Sequence, residues 1–212
     1  MDYSGMNIPS KPRDSAWYGM EDLVASICIH VAPSVVVDIG TYKGYSATVF
    51  SKNIKGDVYT IDPNKEESAE KLFKAEYPNI HYIVDTSMNV LSKWNKEAQI
   101  IHIDGSHESK DVVDDIMGWK KFLAPGGVML AHDICNWSYV GRQVNLAMRE
   151  VVNEFPYILA FIREAGMAIM LDDAYLANQL KMNFDVVSYK GFSKLKLSMD
   201  SGFVLGRAGL KG

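Results

Sequence analysis

Five times over, the sequence alternates between a short apolar, mostly β-branched run and a stretch of helical spacing, and this alternation constrains the fold more than any other feature. Val35–Ile39, Val58–Asp62, Ile80–Val84, Gln99–Asp104 and Val128–His132 read as strands. Helices are predicted for Tyr45–Lys52, Glu66–Glu76, Ser87–Trp94, Ser109–Phe122 and Gly141–Phe155. A further helix is predicted ahead of the first strand, over Trp17–Val31, where Leu23, Val24, Ile27 and Val31 recur at helical spacing. Strands that alternate with helices form a parallel sheet covered on both faces. Two last strands, Tyr157–Arg163 and Met167–Leu171, meet through a turn at Gly166 that is too short for a parallel crossover, so one of them runs antiparallel. The expectation is an α/β fold: a mostly parallel sheet of seven strands with one antiparallel strand and helices on both faces.

The 212 residues fit one domain, expected over residues 1–173 with an irregular arm at 1–16. Residues 174–212, with glycines at 191, 202, 206, 209 and 212, read as a less regular extension. The two cysteines, Cys28 and Cys135, exclude a disulfide framework and a zinc cluster. A net charge of -4 gives no electrostatic reason to expect nucleic acid or an anionic membrane as partner. No apolar run approaches the roughly 20 residues of a membrane span. The polar start, Met1–Ser15, lacks the apolar core of a secretory signal, so a cytoplasmic location is expected. The arm and the tail could each pack on a neighbouring copy of the chain.

In open α/β sheets, ligands bind beyond the carboxyl ends of the strands. Four strand ends here carry polar groups suited to a nucleoside. After the first strand, Gly40 and Gly44 let backbone approach a ligand, and the following helix offers unpaired N–H groups. Asp62 ends the second strand, where a carboxylate can accept bonds from both ribose hydroxyls. Asp85-Thr86-Ser87 follows the third strand, and Asp104 ends the fourth. Each has a plainer reading: the glycines as a simple turn, and Asp62, Asp85 and Ser87 as helix caps. The spacing of all four together favours the nucleoside. A dinucleotide oxidoreductase is disfavoured, because Tyr42 stands where G-x-G-x-x-G needs its second glycine.

Val37-Asp38-Ile39-Gly40-Thr41-Tyr42-Lys43-Gly44-Tyr45-Ser46-Ala47 resembles the S-adenosylmethionine (SAM) motif of class I methyltransferases, in the form seen in the catechol O-methyltransferase group. Leu123-Ala124-Pro125-Gly126-Gly127 resembles that family's turn before the fifth strand. Ile103-Asp104-Gly105-Ser106-His107 with His132-Asp133 is similar to a broader set of small-molecule and sugar O-methyltransferases. The resemblance implies a Rossmann-like fold and SAM as cofactor. It implies that Asp38, Gly40, Tyr42 and Ser46 hold the methionine part, Asp62 the ribose, and Ser87, with Asp85 and Met88, the adenine, with Thr41, Gly44 and Asp104 also at the cofactor.

At the chemical end, Asp104 and His132-Asp133 close two adjacent strands about 4.8 Å apart. Asp104, His132 and Asp133 could converge on one divalent metal, Mg or Mn, although imidazole suits Mn better than Mg. His107, three residues past Asp104, stands where the resemblance implies a general base, work that a neutral imidazole suits near pH 7; its plainer reading is a residue capping the helix that starts at Ser109. The expected function is therefore metal-assisted O-methylation of a small hydroxylated acceptor, with Asp104 and His107 as catalytic residues. The alternatives are a metal-independent methyltransferase and a SAM-binding protein without catalysis. His102, inside a strand, reads as a packed core residue. Asp114-Asp115 reads as a solvated helix face. Trp17, Tyr18, Met20, Trp137 and Tyr139 read as either acceptor-pocket walls or plain core.

Overall fold

Val35–Ile39 (β1) is an inner strand that carries apolar side chains to both faces of the sheet, with Asp38 as its buried polar exception. The structure, a computed structural model, describes Trp17, residues 19–136 and residues 138–189. The whole expected arm (1–16), Tyr18, Trp137 and the residues beyond 189 lie outside the described residues. After β1 come α2 (Tyr45–Asn53), β2 (Asp57–Ile61), α3 (Glu67–Glu76) and β3 (Ile80–Ile83). The chain continues through α4 (Ser87–Leu91), β4 (Ala98–Ile103), α5 (Ser109–Trp119), β5 (Leu123–His132) and α6 (Tyr139–Glu150). It closes with β6 (Tyr157–Phe161), β7 (Met167–Leu171), α7 (Ala174–Asn183) and β8 (Val186–Ser188). Ahead of β1, α1 covers Glu21–Val31 and leaves Trp17 outside the helix.

The strands lie in the order β3-β2-β1-β4-β5-β7-β6-β8. The first five are parallel to one another. β7 runs antiparallel to both β5 and β6, and β8 antiparallel to β6. The described sheet thus has eight strands with two reversed, where the sequence predicted seven with one. The eighth comes from the segment expected to be irregular. Asp173 caps α7 by accepting from the Tyr175 and Leu176 amides, α7 buries Leu176, Ala177 and Leu180, and the Tyr189 hydroxyl after β8 donates to Asn145 Oδ1 at 2.9 Å. A short apolar periodicity diluted by polar residues hid this helix. No helix among the described residues is long and apolar enough to cross a membrane.

Each face of the sheet carries its own core. Val36, Ile100 and Leu130 point to the side covered by α1 and α2, against Leu23, Ile27 and Phe50. Their neighbours Val37, Ile101 and Met129 point to the other side, against Ile116, Trp119 and Met148 of α5 and α6. From β1 the chain moves outward to β2 and β3, then returns to place β4 on the opposite side of β1. The crossovers on either side of β1 and β4 lead away from each other. That divergence opens a crevice at their carboxyl ends.

Candidate active site

The crevice holds a cleft of about 550 Å³ walled by the Gly40–Ser46 loop, Asp62–Asn64, Asp104–His107, His132, Asp133 and Trp17. Its floor is fixed by the sheet's own ladder. The Gly40 amide donates to the Ile61 carbonyl and the Asp104 amide to the Ile39 carbonyl, each at 2.8 Å, so three strand ends are tied together. Gly40 has φ 98°, and a Cβ there would collide with the Asp104 carbonyl. Gly44 has φ 82° at the start of α2, where a Cβ would strike the Phe73 ring. Glycine at these positions lets β1 approach β4 and lets the start of α2 pack against Phe73; Gly44 itself does not line the cleft.

The predicted cofactor residues divide into those on the cleft wall and those behind it. Gly40, Thr41, Tyr42, Gly44's neighbours Lys43 and Tyr45, Ser46, Asp62 and Asp104 face the cleft. Asp38 does not; it is fully buried and accepts from Ser46 Oγ (3.0 Å), Thr60 Oγ1 (2.8 Å) and His102 Nδ1 (2.7 Å). It supports the loop from beneath. His102, read from sequence as a packed core residue, is indeed fully buried, yet its partner is this carboxylate. The two residues are register partners on β1 and β4, which is the signal that could have linked them. Thr41 Oγ1 lies 2.7 Å from Thr60 Oγ1 and joins the same network.

Asp62 Oδ2 accepts from the Tyr42 amide at 3.1 Å and Oδ1 from the Asn64 amide at 2.8 Å. A carboxylate has about four acceptor positions, so these two bonds orient it and leave capacity for a ligand's hydroxyls. Asp62→Ala is expected to weaken S-adenosylhomocysteine (SAH) binding by about 1–3 kcal/mol. Titration calorimetry reads this directly, and wild-type affinity in the variant would remove the ribose assignment.

Asp85 and Ser87 do not line the cleft. Asp85 Oδ1 accepts from the Thr86 amide and from Asn89 Nδ2, each at 2.8 Å. Ser87 Oγ donates to Asp115 Oδ1 at 2.6 Å and accepts from Trp119 Nε1 at 2.7 Å. Asp115 is therefore not on a solvated face as expected; it is 5% exposed, whereas Asp114 lies outside, paired with Lys110. Burial is the main cause that pushes the Asp115 carboxyl up to about 6, opposed by the Ser87 bond and helped by Asp111 and Asp114. With the folded pKa above the unfolded one, this group's contribution to stability is full below about pH 4 and is lost as pH rises through 6. Asp115→Asn is expected to exceed wild type in stability by about 1–3 kcal/mol at pH 8, with the gap closing toward pH 4. Urea titrations at the two pH values check this. A gap that does not shrink on acidification would contradict it.

At the far end of the cleft, four ionisable side chains converge. β4 delivers Asp104, the following turn His107, and the end of β5 His132 and Asp133. Asp133 is held at φ 68°, a left-handed conformation uncommon for aspartate. His107 Nε2 lies 3.4 Å from Asp104 Oδ1 and 2.9 Å from Asp133 Oδ2, without hydrogen-bond alignment to either. His132 Nδ1 lies 3.2 Å from Asp104 Oδ1 and 3.6 Å from Asp133 Oδ2. Trp17 Nε1 donates to the other oxygen of Asp104, Oδ2, at 3.3 Å. Burial works against the Asp104 carboxylate, but His132, His107 and His102 together hold it well below the usual carboxylate range. Asp133 is likewise raised by burial and pulled down further by His107 and His132. The Asp104 and Asp133 carboxylates beside the His107 ring hold it up to about 9. Burial lowers the His132 pKa, but Asp104 and Asp133 outweigh it and raise it to about 10.

The set that can share one ion is Asp104, His107 and Asp133, whose ligand atoms all lie within 4.8 Å of one another. The sequence nominated His132 in place of His107; His132 is nearly fully buried and turns its Nδ1 to the two carboxylates. Two carboxylates and a half-buried imidazole at this spacing fit a divalent cation. Lys43, Pro63, Asn64 and Ser106 also reach the cleft and were not singled out from sequence, since each is an ordinary loop residue beside a marked one.

Residues 37–134 match the family model of a methyltransferase domain. The fold is that of the O-methyltransferase from Bacillus cereus in complex with SAH, with a TM-score of 0.61, 14% identity, and 76% of this chain and 83% of that one covered. It is equally similar to the SAH-bound methyltransferase PaMTH1 of Podospora anserina (TM-score 0.60, 16% identity, 73% and 78% covered). The O-methyltransferase TomG of Streptomyces achromogenes, involved in tomaymycin synthesis and solved with SAM, superposes with TM-score 0.58 at 16% identity over 72% and 78% of the chains. No curated protein matches the chain in sequence. The match to the methyltransferase-domain model runs from within β1 to just past β5, and the chain shares the fold of these methyltransferases.

Proposed function

We propose that the protein methylates an oxygen of a small hydroxylated acceptor, with a divalent cation beside the acceptor. One observation carries this reading: Asp104, His107 and Asp133 converge at one end of the same cleft whose other walls include the Gly40–Ser46 loop and Asp62. The cleft fits the cofactor, because Gly40, Tyr42 and Ser46 line its wall and Asp62 keeps acceptor capacity. SAM, when bound, supplies a methyl group on a positively charged sulfur. A divalent cation, held by Asp104 and Asp133, would lower the acceptor's pKa and fix its position.

The chain's own residues do the rest. Asp38, Ser46 and Thr60 hold the loop in shape from below, so that the reacting groups meet in a fixed geometry. His132 buttresses both carboxylates through Nδ1. His107 takes the acceptor proton at Nε2, for which it must first be neutral. Its two carboxylate neighbours hold it protonated at neutral pH, so charge that neutralises those carboxylates brings it into working range. A second reading makes His107 the third ligand of the cation, favoured by its place within the 4.8 Å set. His107→Ala separates the two: a base loses turnover by roughly 100-fold with cation affinity kept, and a ligand loses both.

The testing experiment is titration calorimetry with SAH, with and without Mn²⁺ or Mg²⁺, followed by methyl transfer to a panel of vicinal diols. Micromolar SAH binding, a cation signal lost in Asp133→Ala, and methylated diol support the reading. SAH binding without any cation signal would leave a metal-independent methyltransferase. SAH binding without transfer to any acceptor would leave a binding protein.

A further inference from the structure

We infer that Trp17 is a positioning residue for the cation site, setting which oxygen of Asp104 the site can use. The inference rests on the cation reading above. Trp17 stands outside α1, 87 positions before Asp104 in sequence, yet it is 3% exposed and its indole Nε1 donates to Asp104 Oδ2 at 3.3 Å. The ring is wedged rather than merely close. It stacks on His132 (centroids 6.2 Å apart, planes at 27°) and meets His102 edge-on at 4.8 Å and Phe50 edge-on at 5.8 Å. Rotation of the indole is blocked on several sides, so the N–H direction is fixed.

The two oxygens of Asp104 are therefore inequivalent. Oδ2 is occupied by the indole, and Oδ1 faces His132 and His107. Asp133 presents Oδ2 to the same two imidazoles. One oxygen from each carboxylate then points to a common position, and a cation there meets single oxygens at Asp104. Carboxylates that bind metals are themselves held by outer hydrogen bonds, and removing such a bond typically lowers metal affinity 10- to 100-fold. A wall of an acceptor pocket, the role the sequence offered for Trp17, needs only the ring; this role needs the N–H.

Trp17→Phe keeps an aromatic ring and deletes the donor. Calorimetry with Mn²⁺ is expected to show cation affinity about tenfold weaker or more in the variant. SAH affinity, measured in the same preparations, should stay within about twofold, since the outer bond acts on cation geometry and not on the Gly40 loop. If both proteins bind Mn²⁺ equally, Trp17 has no role in the site. An acceptor KM that rises alone, with cation affinity kept, makes it a pocket wall and overturns the inference. Absence of Mn²⁺ binding in wild type, with SAH bound, overturns the cation reading and this inference with it. Should Trp17→Phe fail to fold, the bond can be read in wild type by NMR. One indole N–H resonance should shift on Mg²⁺ addition and also in Asp104→Asn; none shifting in either would overturn the inference.

Discussion

Asp104→Asn is expected to lower methyl transfer by about 100- to 1000-fold, the range for removing one fixed charge from a site built around charge. The substitution keeps the shape and deletes the charge. Asp104 sits at the hub of the cluster: Trp17 donates to one oxygen, His132 faces the other, and His107 lies 3.4 Å away. Asparagine leaves Asp133 as the one carboxylate of the set, which holds a divalent cation poorly. It also places an amide where an imidazole N–H needs an acceptor, and it takes away one of the two anions that hold His107 up to about 9. SAH affinity should fall far less than turnover, because Asp62 and the Gly40 loop are untouched. Steady-state kinetics beside SAH calorimetry give both numbers. Wild-type turnover in this variant would remove Asp104 from the chemistry.

Gly40→Ala is expected to destabilise the protein by about 3–5 kcal/mol and to abolish SAH binding. Two costs add at this position. An L side chain is strained at φ 98°, and the new Cβ would overlap the carbonyl of Asp104, which is backbone and cannot swing aside. Relief requires the ends of β1 and β4 to separate, and those ends are tied by the Asp104 amide to the Ile39 carbonyl at 2.8 Å. Gly126→Ala is the control: φ is 73° there too, but a Cβ would meet open space. It should cost only about 1–2 kcal/mol, the conformational part alone. Urea unfolding of both variants separates strain from collision. Equal losses would show that the close approach of β1 and β4 is not what glycine serves.

Much of this was legible in the sequence because the strands are short, apolar throughout and separated by helices. Such a pattern has one common solution, a parallel sheet with ligands at its carboxyl edge. The residues marked after each strand end do gather where expected: Gly40, Asp62, Asp104, His107 and Asp133 share one cleft. What the sequence hid depends on contacts between distant segments. Nothing local shows that Asp38 turns away from the cleft to accept from His102, or that Ser87 spends its hydroxyl on Asp115. Asp115 looked solvated because it follows Asp114, yet on a helix adjacent residues point some 100° apart, and one of them faces inward. β8 was missed for a different reason. Three residues are too few to show an alternation, and they pair only because β6 offers an edge.

The strand order has a consequence for how the chain comes into being. As it leaves the ribosome, β1, β2 and β3 appear first and can pair at once. The other side of β1 must wait for β4, since Val36 pairs with Ile100 and Ile39 with Ile103. Until then the nascent chain presents an open, apolar strand edge, a template for joining a neighbouring chain. Cofactor cannot guard this edge, because the loop that would bind it is braced against the Asp104 carbonyl, which arrives with β4. A chain stalled before Asp104 should therefore be prone to aggregate however much SAM surrounds it, and one that has passed β4 should be protected.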